Sequence, residues 1–487
     1  MNKVRVREDI WELESQQEWH PITFAYALAV GEMQRRSEAD PGDPTGWLYQ
    51  SSVHSMNLPP TEPPDVWRHQ CQHTSWNFLP WHRMYLYWFE EIARSIIEAS
   101  AEIDRGTKST WALPYWNYDR RGVTNTLPPP FRAKFLRDGR PNPLFVDERN
   151  KAPGRDLNNG DGMRDGRQGP ISVTTARFAL PATVFAGLGS FGGPRTGWHH
   201  MFENGIRTSG LLEATPHGSV HTEVGGADGL MSAFDTAALD PIFWLHHANI
   251  DRLWSVWLAQ DQPPRANPTE AAWLTMESHF HDRTGADLKQ RTEKVLDEVA
   301  DLGYRYAEVT PPAGPMEAKP MSSGPAPEHP AELVGATSEP ITLAGRRSTN
   351  RFPISPPAGP LAATAGSTPS RVVLTVEDMR AGRNPGYSYA VYLNVPDDDD
   401  DPANDTHYVG NVSFFGIEET TRFGGEHAGA ISQALDVTAL YHQLRDDGQW
   451  DDSLVTVTFV PILPDAGDVA GPESQPVEVG RIGLFFQ

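Results

Sequence analysis

The stretch HRMYLYWFEEIARSIIEA, residues 82–99, repeats apolar residues at three- and four-residue intervals. That period predicts an amphipathic helix, and His82 sits in its first turn. A second stretch of this kind, PIFWLHHANIDRLWSVWLAQ at 241–260, carries His246 and His247 side by side. Two helices that pair an apolar face with histidine predict a helical core around a polar centre. Between them, residues 119–215 are rich in Gly, Pro, Arg and Asn, including NNGDGMRDGRQGP at 158–170, which predicts long loops wrapped on that core. Loops of this length usually carry function or line a site entrance.

At 487 residues the chain exceeds what one hydrophobic core usually supports, so two domains are expected. From Pro311 to Pro369 the composition shifts to Pro, Ala, Gly and Ser, in pieces such as PPAGP and SSGPAPEHP, and predicts a linker with one short strand at about Glu332–Leu343. Beyond it, RVVLTVED, YSYAVYLNVP, HYVGNVSFFGIEE, SLVTVTFVPI and VEVGRIGLFF read as strands of an antiparallel sandwich. The acidic run Asp397–Asp401 reads as a solvated hairpin tip rather than a cation site. A net charge of −23 repels nucleic-acid phosphates and anionic lipid. No apolar run is long enough to span a bilayer, and the first thirty residues lack the order of a signal peptide, so a cytoplasmic chain is expected. The one cysteine, Cys71, excludes an intrachain disulfide.

Eight of the 17 histidines fall in two short zones: His54, His69, His73 and His82, then His217, His221, His246 and His247. His217 and His221 in PHGSVH are four apart, so on a helix both imidazoles meet one metal. In IFWLHHANIDRLW, Phe243 stands one turn before His247 and Asp251 one turn after it. The aromatic ring is placed to press on the imidazole, or to stack on a bound ring, and the carboxylate to accept its N–H and fix its tautomer. Neutral imidazoles suit copper, zinc or iron. Hydrolytic dinuclear zinc sites normally recruit bridging carboxylates, and no Asp or Glu stands beside these histidines at ligand spacing, which favours copper.

In SSVH, CQHTSWNFLPWHRMYLYWFE, ALPYWNYD, PHGSVHTEVGG and MSAFDTAALDPIFWLHHANIDRLW, spread over about residues 45–260, the chain resembles the type-3 copper family of tyrosinases, catechol oxidases and molluscan haemocyanins. The resemblance implies a mainly α catalytic domain at 1–312, a four-helix bundle around a dinuclear copper site. It implies copper A on His54, His73 and His82 and copper B on His217, His221 and His247, with His246 supporting the last ligand from behind. A linker at 313–370 and an all-β antiparallel sandwich domain at 371–487 would follow, and in plant members that domain packs over the copper site and often keeps the enzyme latent. The Cys71-Gln72-His73 spacing matches relatives in which the cysteine sulfur is bonded to this histidine, so a thioether is expected.

The implied activity is oxidation of o-diphenols to o-quinones with O2, on a small phenolic substrate. Hydroxylating a monophenol also needs a base, because phenols ionise near about pH 10. In the family a glutamate shortly before the first copper-B histidine orders a water together with an asparagine directly after that histidine. Glu213 matches the glutamate, but Gly218 stands where the asparagine would be, which favours diphenol oxidation. Thr222, directly after His221, is smaller than the gate of many relatives and predicts an open entrance. Two other activities fit the same motifs, o-aminophenol oxidation and haemocyanin-like O2 binding.

Overall fold

The structure, a computed structural model, describes residues 4–54, 71–119, 125–152, 155–163, 172–196, 208–310, 331–355, 369–396, 405–423, 430–463 and 475–487. The acidic run 397–401, His69 and most of the Pro-rich stretch 311–369 lie outside the described residues. Helices α1 (Pro21–Ala39), α2 (Phe78–Ala99), α3 (Ser219–Gly225) and α4 (Ile242–Leu258) carry or back the histidine zones. As the loop-rich composition predicted, most of the described chain between Trp111 and Leu212 is irregular.

Helix α2 packs on α1 and α4 through large aromatic side chains. The Phe89 ring stacks on Trp244 at a centroid distance of 3.5 Å, and Tyr85 lies 4.7 Å from the same indole. Trp81, Trp116, Trp244 and Trp254 are fully buried. Each ring of this size removes about 150–250 Å² from water, which makes the helical core wide enough to hold a polar centre.

A buried ionic network sets the register of α2 against α4. Asp251 of α4 accepts from Arg83 Nε of α2 at 2.6 Å, from Tyr304 Oη at 2.7 Å and from Tyr306 Oη at 2.6 Å, and Arg7 Nη1 lies 3.4 Å away. Arg7 also pairs with Glu90 at 2.7 Å, and Arg83 with Glu298 at 2.9 Å. Burial works against the Asp251 charge, yet Arg83 and Arg7 hold its carboxyl below the usual range. One consequence is that His82 and His247 stack at 4.5 Å across the two helices.

The C-terminal half contains β1 (Glu332–Ala336), β2 (Ile341–Leu343), β3 (Ser348–Pro353), β4 (Val372–Arg380), β5 (Tyr389–Leu393), β6 (Tyr408–Val412), β7 (Ile431–Asp436), β8 (Leu454–Pro461) and β9 (Val477–Phe486). One sheet runs β3-β8-β5-β6; the other runs β7-β4-β9-β1 with β2 also on β9. Three strands, not one, arise from the stretch expected to be a linker: β1 and β2 pair with β9, and β3 pairs with β8. The HYVGNVSFFGIEE segment also departs from expectation. Its strand ends at Val412, and after Gly416, at φ 74°, the chain turns into helix α5 (Ile417–Phe423).

The two halves share more than a surface. Tyr389, Val391 and Leu393 of β5 join the core of the β half, whereas the alternate residues Ala390 and Tyr392 join the core of the helical half. A strand buried on both faces must be apolar at every position, which is why YSYAVYLNVP shows so little alternation. In addition, Thr208 and Ser209 of the helical half pair in parallel with Ser432 and Gln433 of β7. No described helix is long and apolar enough to cross a membrane.

Replacing Asp251 with asparagine leaves two buried guanidinium groups without their shared carboxylate, and a loss of about 3–5 kcal/mol is expected. Urea unfolding followed by tryptophan fluorescence reads the loss; an unchanged midpoint contradicts the role given to the network.

Candidate metal centre

Six of the eight zone histidines form the walls of one buried chamber, and a single device orients four of them. His82 Nδ1 donates to the Phe78 carbonyl at 2.8 Å and His217 Nδ1 to the Glu213 carbonyl at 3.1 Å, each four residues earlier in the chain. His54 Nδ1 donates to the Phe234 carbonyl at 3.0 Å and His221 Nδ1 to the Met231 carbonyl at 2.9 Å. A carbonyl only accepts, so Nδ1 carries the proton and the lone pair lies on Nε2. His73 differs, with Nδ1 3.4 Å from Cys71 Sγ.

The second nitrogens converge without protein partners. His54, His73, His217 and His246 are buried and their Nε2 atoms have no hydrogen bond, while His221 Nε2 and His247 Nε2 face each other at 3.4 Å. Such orphaned acceptors are rare in a dry interior and point to a missing ligand. Ligand atoms of His54, Cys71, His73 and His82 lie within 4.8 Å of one another, as do those of His217, His221, His246 and His247. Burial first, and then repulsion between neighbouring imidazoles, lowers the basicity of His73, His217 and His247 well below that of free histidine. Burial alone brings His54 down to about 4. All are therefore neutral at pH 7, the form that binds metal, and the nitrogen-only donor set with one adjoining sulfur fits a pair of copper ions.

Other residues named from the sequence fall into place unevenly. Phe243 is fully buried, with its centroid 4.3 Å from the His247 ring and 4.9 Å from that of His54, so it supports imidazoles from below. His246 lies behind His217, the two rings stacked at 5.5 Å, and its Nδ1 meets Tyr118 Oη at 3.1 Å. Asp251 does not take the N–H of His247. Its oxygens are held by Arg83, Tyr304 and Tyr306, and His247 Nδ1 has no hydrogen-bond partner. The i,i+4 spacing brought Asp251 near the ligand, but the two arginines outcompete a neutral imidazole for a buried carboxylate.

Glu213 is buried rather than on an exposed loop. Thr74 N donates to its carboxylate at 2.8 and 3.0 Å, and burial pushes the carboxyl up to about 8. Thr222 is fully buried, and among the described residues it does not bound the cavity beside His217. The space above the imidazoles is instead filled from the β half.

Phe415 stacks on His221 with centroids 3.8 Å apart and planes 14° from parallel, and it lies 5.5 Å from His217 and 5.9 Å from His73. Gly416 lets the chain pass flat against Phe234: a Cβ there would fall 1.8 Å from the ring, at a φ that disfavours side chains. Gly416 N and Asn384 Nδ2 both donate to the Ser232 carbonyl, at 3.3 Å each. What remains is a cavity of about 40 Å³ bounded by His73, Glu213, His217, Phe415 and Gln433. Neither Phe415 nor Phe234 was singled out from the sequence; the FFG that turns β6 into α5 was the only local signal.

Comparison with known proteins followed the same division. A family model for the common central domain of tyrosinase matches residues 44–260, and a domain of unknown function, DUF7868, matches 330–487. A tyrosinase from Hahella sp. (strain CCB-MM4) is 32% identical over 516 residues, covering 99% of this chain and 100% of its own. Polyphenol oxidase B, a chloroplastic protein of Solanum lycopersicum, is 27% identical over 491 residues, 95% of this chain and 75% of its own. The solved structure of latent apple tyrosinase matches at a TM-score of 0.63 and 22% identity, covering 100% of this chain and 98% of its own, a likeness of fold: a helical core followed by a C-terminal domain. The chain belongs to the type-3 copper family of tyrosinases and polyphenol oxidases.

Proposed function

We propose that the chain oxidises o-diphenols to o-quinones with O2 and is held closed by its own β half. Two catechols and one O2 give two o-quinones and two waters, so the balance needs no further reductant. The copper pair, when bound, supplies the two-electron chemistry that joins these half-reactions. The observation that carries the reading is the convergence of buried Nε2 atoms, those of His54, His73 and His217 without a partner, in a chamber where carbonyls hold Nδ1 of His54, His82, His217 and His221.

In this reading His54, His73 and His82 hold one copper and His217, His221 and His247 the other. His247 is preferred to its neighbour because its Nε2 faces that of His221 and its ring stacks on that of His82 of the other set, although Nε2 of His246 is also without a partner. Cys71 Sγ against the His73 ring supports the thioether, which would fix that imidazole. Helices α1 to α4 are read as a four-helix bundle and the two sheets as a sandwich. The boundary between domains is placed within 311–330, because the strands from Glu332 to Pro353 belong to the sheets.

Among the described residues Glu213 is the buried carboxyl placed to take a phenol proton, and burial, which pushes it up to about 8, leaves it mostly protonated and so mostly unavailable as a base at neutral pH. Together with Gly218 in place of an asparagine, this favours catechols over monophenols. Phe415 covers the position where an aromatic substrate would approach His221.

Three outcomes are expected. Phe415→Ala in the intact copper-loaded chain raises catechol oxidation by about tenfold or more, because removing the ring uncovers the chamber; unchanged activity contradicts the shielding. Any monophenol hydroxylation rises as pH climbs through about 8, where Glu213 loses its proton, and falls about a hundredfold in Glu213→Gln while catechol oxidation persists. Mass spectrometry of the peptide joining Cys71 and His73 shows the loss of two hydrogens after copper loading, and no loss in Cys71→Ser.

A further inference from the structure

Gly218 follows a metal-binding histidine, and the space its side chain would fill belongs to the β half. A Cβ at 218 would lie 2.6 Å from Ser413 Oγ and 3.8 Å from Ser413 Cβ. Ser413 is braced on several sides. Its N–H donates to Gln433 Oε1 at 3.2 Å, its carbonyl accepts from Gln433 Nε2 at 2.9 Å, and its hydroxyl donates to the Ala214 carbonyl at 3.3 Å. Gln433 is fixed in turn, because its strand β7 pairs with Ser209 of the helical half. Ser413 is fully buried and stands two residues before Phe415, so a displaced Ser413 carries Phe415 with it.

We propose that Gly218 is the socket for the β half, and that a side chain at 218 and a seated Phe415 exclude one another. An alanine forces the Ser413 hydroxyl to rotate and give up its bond to Ala214. An asparagine reaches further, toward Ser413 Cβ and the strand behind it, where overpacking has no flexible atom to absorb it. The residue that sets the polarity beside His217 therefore also sets whether the chamber is covered. An asparagine helper for hydroxylation is available to this chain only in an open form. The inference rests on the reading of Phe415 as a cover for the copper chamber.

The test uses the intact copper-loaded chain and its variants Gly218→Asn, Gly218→Ala, Gly218→Ala/Ser413→Gly and Phe415→Ala. Amide hydrogen exchange of the peptide spanning 408–423 reports seating directly, and catechol oxidation relative to Phe415→Ala reports access. Gly218→Asn is expected to speed exchange around Phe415 by about tenfold or more and to bring activity toward the Phe415→Ala level. Gly218→Ala does so more weakly, and adding Ser413→Gly returns exchange toward wild type. Exchange in Gly218→Asn equal to wild type overturns the proposal. If helix α2 peptides also exchange faster, the variant has lost its fold and the alanine pair decides: failure of Ser413→Gly to restore protection overturns it. Absence of catechol oxidation in Phe415→Ala refutes the catalytic reading alone, since exchange still measures seating.

Discussion

Everything at the centre of this protein depends on keeping neutral imidazoles in a dry core, four of them with Nδ1 held by a carbonyl so that Nε2 faces the chamber. An unpaired buried polar atom costs about 1–3 kcal/mol, so a cluster of free Nε2 atoms is what a metal site would offset. The committed Nδ1 atoms show how the chain achieves it. His82 and His217 use carbonyls one turn behind them, which needs only local backbone geometry. His54 and His221 instead rely on the loop at Met231–Phe234, which serves one histidine from each set. That loop fixes the two sets relative to each other, and its Ser232 carbonyl is also where the β half is fastened.

The β half is thus continuous with the site rather than appended to it. Strand β5 gives alternate side chains to two cores, β7 adopts a short strand from the helical half, and Gly416 admits the chain to the face of Phe234. These contacts place a phenylalanine ring parallel to His221. In the proposed reading closure and substrate binding compete for one surface, and position 218 lies at its edge.

Much of this was legible in the sequence where the information is local. Helical periodicity gave α2 and α4, and the clustering of histidines marked both zones, whereas the choice of three in each came from the family resemblance, since His54 and His73 lie off the helices and carry no helical spacing. Asp251 was misjudged because four-residue spacing is a local signal, and the arginines that capture its carboxylate lie 168 and 244 residues away. The proline-rich composition merged β1 and β2 into one expected strand and hid β3. The contact of Ser413 with Ala214 spans 199 residues and involves a serine in an ordinary strand pattern, so no periodicity could report it. Glu213 was visible as a candidate, but its burial comes from Thr74 and the β half, which only the folded chain brings together.

The most direct measurement is a crystal structure of the copper-loaded chain with anomalous data at the copper edge. Two peaks are expected, one bounded by Nε2 of His54, His73 and His82 and the other by Nε2 of His217, His221 and His247. The four carbonyl bonds at Nδ1 should be unchanged. A single peak, ligation through Nδ1, or His246 in place of His247 would contradict the arrangement on which the rest is built.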